Sequence, residues 1–145
     1  MAYRGKFKPK NIKKYMGDPT KITYRSLWER KCMLIFDTNP NILKWASEEI
    51  AIPYLSPVDG KRHKYFPDFM VEIKNKDGKT ETIMIEVKPK KQTLPPKPPK
   101  RRTQKFLSES KTYAINKAKW EAASALCERK GWTFRIMTEK EIYGK

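Results

Sequence analysis

The stretch from Tyr65 to Lys88 constrains the fold more than any other part of the chain. Tyr65, Phe69, Val71 and Ile73 fall mostly on one side of a two-residue period, as do Ile83, Ile85 and Val87, and Asn75-Lys76-Asp77-Gly78-Lys79 separates the two runs. A period of two is that of a pleated strand with one buried face. A polar, glycine-containing cluster between two such runs signals a hairpin. Strands are therefore expected at Tyr65 to Lys74 and at Thr82 to Lys88. Phe66, Asp68, Met70 and Glu72 take the opposite face of the first strand, and Met84, Glu86 and Lys88 that of the second.

Register decides what the hairpin can do. Pairing centred on Asp77 sets Asp68 opposite Glu86 and needs an odd-membered turn, of three or five residues, with Gly78 left-handed. A two-residue Asp77-Gly78 loop sets Asp68 opposite Val87 and sends the carboxylates to different faces. In the first register two carboxylates and the Lys88 ammonium share one face. Hard divalent cations take converging carboxylate oxygens, and an ammonium beside them can orient water and stabilise charge developing on a phosphate.

The rest of the chain supplies layers around this hairpin. Ser26-Leu-Trp-Glu29 has the form of a capping box, followed by Trp28, Cys32, Ile35 and Phe36 at helical spacing and closed by Asn39-Pro40, so a helix is expected over Ser26 to Thr38. A turn is expected at Pro40 to Lys44 and a strand at Glu49 to Leu55. Ile115, Ala118, Ala122 and Leu126 place a second helix over Lys111 to Lys130, ended by Gly131. A last strand, Trp132 to Met137, and a short helical turn from Thr138 follow. The order αβββαβ predicts an α/β layered domain with a small mixed sheet, and one domain over 1–145.

Charge narrows the partner. The 145 residues hold 33 Lys+Arg against 16 Asp+Glu, a net charge of +17, and such self-repulsion points to a polyanion. The longest apolar run, Cys32 to Phe36, is too short for a bilayer, no secretory leader is expected, and no segment pairs a basic face with a continuous apolar one. Nucleic acid is thus favoured over a membrane. Cys32 and Cys127 fit neither a disulfide framework nor a metal-ligand spacing and read as buried thiols.

The surplus is concentrated in two places. Residues 1–25 form a basic N-terminal arm that includes Arg25. No acid lies between Glu86 and Glu109, a stretch with Lys90, Lys91, Lys97, Lys100, Arg101, Arg102 and five of the 11 prolines. Residues 89–104 are expected as an extended, semi-rigid loop. Each segment reads either as a solvated tether or as an arm that follows phosphates.

Pro67-Asp68 and Glu86-Val87-Lys88 on adjacent strands, with Glu29 on the preceding helix, resemble the PD-(D/E)XK nuclease superfamily. Within it the chain looks most like the head completion nucleases of tailed phages. The shared features run from Met1-Ala-Tyr3 through Gly17-Asp18-Pro19, Ile22-Thr23-Tyr24-Arg25-Ser26 and Trp28-Glu29 to Lys88-Pro89-Lys90-Lys91. More distantly, the chain is similar to the TnsA transposon endonuclease. The resemblance implies a restriction-endonuclease-like fold and phosphodiester hydrolysis of double-stranded DNA with magnesium, or manganese in its place. It implies Asp68, Glu86 and the Val87 carbonyl as metal ligands, Glu29 completing the acidic site through water, and Lys88 positioning the attacking water. It also implies a place in the phage head, reached from the host cytoplasm during assembly, with head, portal or neck proteins as partners. No nucleotide cofactor is expected.

Other readings stand beside these. Helix capping alone accounts for Glu29, and an ion pair with Lys88 for Asp68. Glu48 and Glu49 are alternative acids that an exposed strand entry explains adequately, Glu72 fits a solvated strand face and His63 a surface turn, and Lys117 and Lys119 face DNA or, more simply, solvent. At the level of the whole chain, a non-catalytic DNA-binding virion protein with a nuclease-like fold is the alternative, and a transposon-type endonuclease subunit the third reading.

Overall fold

The computed structural model describes residues 4–144. A four-stranded mixed sheet of β3 (Ile42–Ser47), β6 (Phe69–Lys74), β7 (Thr80–Val87) and β8 (Thr133–Met137) forms the centre, in the order β3-β6-β7-β8. The first three strands are antiparallel neighbours and β8 joins β7 in parallel. Helix α1 (Leu27–Thr38) packs on one face and α2 (Gln104–Lys130) on the other. Two short antiparallel pairs, β1 (Gly5–Lys6) with β2 (Thr23–Tyr24) and β4 (Ile52–Leu55) with β5 (Arg62–Tyr65), lie outside the central sheet, and α3 (Glu139–Tyr143) follows β8.

The alternation along β7 divides the core. Ile83 and Ile85 join Cys32, Met33, Phe36, Phe69 and Val71 on the α1 face. Met84 meets Trp120, Ala123 and Cys127 on the α2 face. Burying a large apolar side chain on either face contributes about 1.5–3 kcal/mol. Both cysteines are buried and free, as expected.

The hairpin register is the one centred on Asp77. Phe69 pairs with Ile85, Val71 with Ile83 and Lys74 with Thr80. The intervening turn spans Asn75 to Lys79, closed by a hydrogen bond from the Asn75 amide to the Lys79 carbonyl (2.9 Å). Gly78 has φ +78°, a left-handed conformation that only glycine adopts at no steric cost. The Asn75 side chain accepts from the Asp77 and Lys79 amides, which fixes the five-residue loop.

Several expectations are corrected. The strand expected at Tyr65 to Lys74 is broken at Phe66-Pro67-Asp68, so Tyr65 ends β5 and Phe69 begins β6. Pro67 lacks the amide a continuous ladder would use. The turn expected at Pro40 to Lys44 is largely strand: β3 starts at Ile42 with a register shift before Lys44, and buries Trp45 and Ala46. It is β3, rather than the Glu49 to Leu55 segment, that supplies the sheet's first strand. The latter pairs with β5 as a separate hairpin against α2.

Helix α2 begins at Gln104, seven residues before the expected Lys111, with the Thr103 hydroxyl accepting from the Phe106 amide as its cap. The expected loop over 89–104 ends at the Thr103 cap, within one residue of its expected end, and it contains a 3₁₀ turn at Lys90–Thr93. At its far end α2 closes on Gly131 at φ +74°.

The N-terminal segment is not a free arm where it is described. Phe7, Tyr15 and Ile22 are core residues, and the Met16 amide bonds the Trp45 carbonyl. Asp37, 0% exposed at the end of α1, is the anchor. Its carboxylate accepts from the Lys10 and Asn11 amides at 2.8 and 3.2 Å. The Lys14 ammonium donates to the Asp37 and Asn39 carbonyls, where the helix dipole favours a cation.

Candidate active site

The registered hairpin brings Asp68 and Glu86 together. Asp68 lies one residue before β6 and Glu86 one residue before the end of β7. The Val87 amide donates to Asp68 Oδ2 at 2.8 Å, which holds that carboxylate across the strand pair. Glu86 is 6% exposed, and among the described residues neither acid is in an ion pair. Burial first and then the adjacent Glu86 carboxylate raise the pKa of Asp68 to about 8, against the opposing Val87 amide and Lys88 charge.

These acids open onto a cleft of about 550 Å³. Lys88, two residues beyond Glu86 on the same face, lines it too, as do Arg25, Lys64 and Lys119. The bland alternative of an Asp68–Lys88 ion pair is absent among the described residues. Three of the four residues on which the chemistry was expected, all but Glu29, therefore share one cavity.

Glu29 divides between its two readings. Ser26 Oγ accepts from the Glu29 amide at 3.1 Å, so the helix is capped. The reciprocal half of the capping box is missing, because the Glu29 carboxylate accepts from the Arg25 amide at 3.3 Å instead. Half-buried, its carboxyl has a pKa raised first by desolvation and then by the Asp68 charge. Glu29 is thus within the electrostatic reach of the pair without joining it: among the described residues no three His, Cys, Asp or Glu side chains form a ready-made metal cage.

Glu48, discounted from sequence, is part of the site. It lines the cleft, its carboxylate meets Arg25 Nη1 at 2.8 Å, and its amide donates to the Asp68 carbonyl at 3.1 Å. Its φ of +51° makes it the one non-glycine residue with positive φ among those described. Such a backbone costs of order 1 kcal/mol and clusters at functional sites. Lys119 was read as a solvated helix position, yet it lies over the Tyr54 and Tyr65 rings at 5.8 and 5.7 Å on the cleft wall. Lys117 lines a separate groove, and His63 is a surface residue paired with Asp59. Only the folded β4–β5 hairpin brings Lys64 and Tyr65 to the cleft, so no local pattern announces them.

Of the expected DNA-contacting residues, Arg25 alone lines the cleft. Lys90, Lys91, Lys97, Lys100, Arg101 and Arg102 are exposed along the segment that leaves it. That segment is tied down at its start, where the Lys90 amide bonds Glu139 Oε1 at 3.0 Å.

Residues 39–139 match the family described as TnsA-like endonuclease N terminal, which covers more than half of the chain. The chain belongs to the TnsA-like endonuclease family. Its mixed sheet between helices is accordingly a restriction-endonuclease-like fold. The chain is also 46% identical over 143 residues to the head completion nuclease of Enterobacteria phage T4, an alignment covering 96% of this chain and 93% of that protein. The matched family segment contains Asp68, Glu86 and Lys88 and starts after Glu29. The membership agrees with the resemblance carried by Pro67-Asp68 and Glu86-Val87-Lys88.

Proposed function

We propose that this protein is a deoxyribonuclease that hydrolyses phosphodiester bonds with a divalent cation, magnesium or manganese in its place. We place its action on packaged double-stranded DNA during phage head completion and head-tail joining. Family membership and the name of the phage T4 relative support a nuclease in head completion. The observation that carries the chemistry is the side-by-side placement of Asp68 and Glu86, unpaired, in a cleft that also contains Lys88.

The residues present fit a divalent cation. Desolvation and the neighbouring carboxylate both disfavour the charged form of Asp68, and a cation offsets both. Magnesium is commonly bound by one or two carboxylates while keeping several waters, so two acids suffice as its anchors. Asp68, Glu86 and the Val87 carbonyl would hold it, with Glu29 joining through a water. Bound there, a divalent cation supplies a lowered pKa for water and neutralises charge on a phosphate.

The chain's own groups do the rest. The Lys88 ammonium orients the attacking water and faces the charge that grows on the phosphoryl oxygens. Arg25 takes a phosphate at the cleft mouth, and Lys90, Lys91, Lys97, Lys100, Arg101 and Arg102 engage phosphates along the strand leaving it. Head, portal or neck proteins are the proposed partners. The phage head, after assembly in the host cytoplasm, is the proposed location.

Duplex cleavage with and without magnesium tests this reading. Wild-type protein cuts only with the metal, and Asp68→Ala and Lys88→Ala each lower the rate by at least about 100-fold. Activity unchanged in both variants contradicts the assignment. Salt-sensitive binding without cleavage in any metal supports the DNA-binding alternative instead.

A further inference from the structure

Tyr65 has no role in the nuclease reading, yet its surroundings are unusual. Its side chain is 3% exposed, and its hydroxyl is buried without a hydrogen-bond partner among the described residues. It lines the same cleft as Asp68, Glu86 and Lys88. The position follows from the fold: β5 ends at Tyr65, its ring packs with Ile52, Met84 and Trp120, and Phe66-Pro67 then carries the chain to Asp68. Lys119 covers the ring from α2. Packing thus pins the ring and leaves the hydroxyl facing the acids. Desolvation and then the charges of Glu86 and Asp68 drive its pKa upward, so it stays a phenol.

A buried hydroxyl is normally paired, and one left unpaired beside an active site calls for an explanation. As an O–H donor it can serve a carboxylate or a water held by one. In metal centres, donors of this kind fix the orientation of the ligating carboxylate and sustain affinity. We propose that Tyr65 is a positioning residue whose hydroxyl orients Glu86, directly or through a water, for holding a divalent cation. The inference rests on the assignment of Asp68 and Glu86 as that cation's ligands. Tyr65 touches neither DNA nor the reacting phosphate in this role, so its effect falls on metal binding.

Tyr65→Phe keeps the ring and removes only the hydroxyl. Full-length wild type, Tyr65→Phe and Asp68→Asn are titrated with manganese by calorimetry and by metal-dependent thermal shift, and with a duplex in EDTA. Without metal, Tyr65→Phe melts within about two degrees of the wild-type temperature, because the ring and its packing are kept. Its manganese dissociation constant rises roughly 10- to 100-fold, and its duplex affinity in EDTA stays within about twofold, the metal-free cleft being unchanged. Unaltered manganese affinity overturns the proposal, as does a melting temperature several degrees lower without metal, which would reveal a structural partner. Asp68→Asn separates the two claims. If it binds manganese like wild type, the ligand assignment itself fails. If it alone loses binding, only the role of Tyr65 does.

Discussion

Asp68 shows how one residue's environment becomes a measurable property. The unfolded chain gives its carboxyl the ordinary pKa of 3.8, whereas the folded, metal-free protein raises it to about 8. A group with a raised folded pKa contributes stability that is fully present below the unfolded value. That contribution is lost as pH rises through the folded one. Metal-free protein is therefore expected to lose stability between about pH 4 and pH 8, by at most about 1.4 kcal/mol per pH unit. Asp68→Asn should flatten that slope. Denaturant unfolding in EDTA at several pH values measures it, and parallel slopes in the two proteins would contradict the account. Asp68 and Glu86 were legible in the sequence because a two-residue period and an odd-membered turn at Asn75 to Lys79 determine which face each takes. Glu48 and Tyr65 were not. Glu48 enters the site through a left-handed backbone and an ion pair with Arg25, and Tyr65 through the packing of a hairpin on α2.

At the scale of elements, the sequence reading succeeded where periodicity was long and failed where it was short or interrupted. Helix α1 has the expected end and starts one residue later than expected, with Ser26 as its cap, and β7 differs by two residues at its start and one at its end. β3 was mistaken for a turn because Asn39-Pro40-Asn41 punctuates its approach and the bulge between Ile42 and Lys44 disturbs its alternation. The first turns of α2 fall outside the expected helix because its apolar stripe becomes regular only from Ile115, while Gln104 to Ser110 carries just Phe106 and Leu107. What remains of the proline-rich segment, Leu94 to Arg102, has no regular structure. Its proposed contribution is electrostatic. Replacing Lys97, Lys100, Arg101 and Arg102 together with alanine should reduce the slope of log affinity against log salt by up to about 0.9 for each phosphate contact removed. Manganese affinity should not change. Filter binding of a duplex across a salt series measures the slope, and a slope equal to that of wild type would remove the segment from the interface.

For the whole molecule, the net charge of +17 is organised around a small acidic centre. Arg25, Lys64, Lys88 and Lys119 surround Asp68, Glu86 and Glu48 within one cleft, and further cations run along the exposed segment that leaves it. Charge alone indicated a polyanion. The hairpin register adds two adjacent carboxylates that a bound DNA phosphate would repel, and a divalent cation resolves that conflict between an acidic centre and an anionic substrate. The central claim is therefore that Asp68 and Glu86 together hold a divalent cation. Anomalous scattering from a crystal of the full-length protein soaked in manganese tests it most directly. A manganese peak is expected between the Asp68 and Glu86 carboxylates, and it should vanish in Asp68→Asn. Manganese bound elsewhere with that position empty, or a peak that persists in the variant, would contradict the claim.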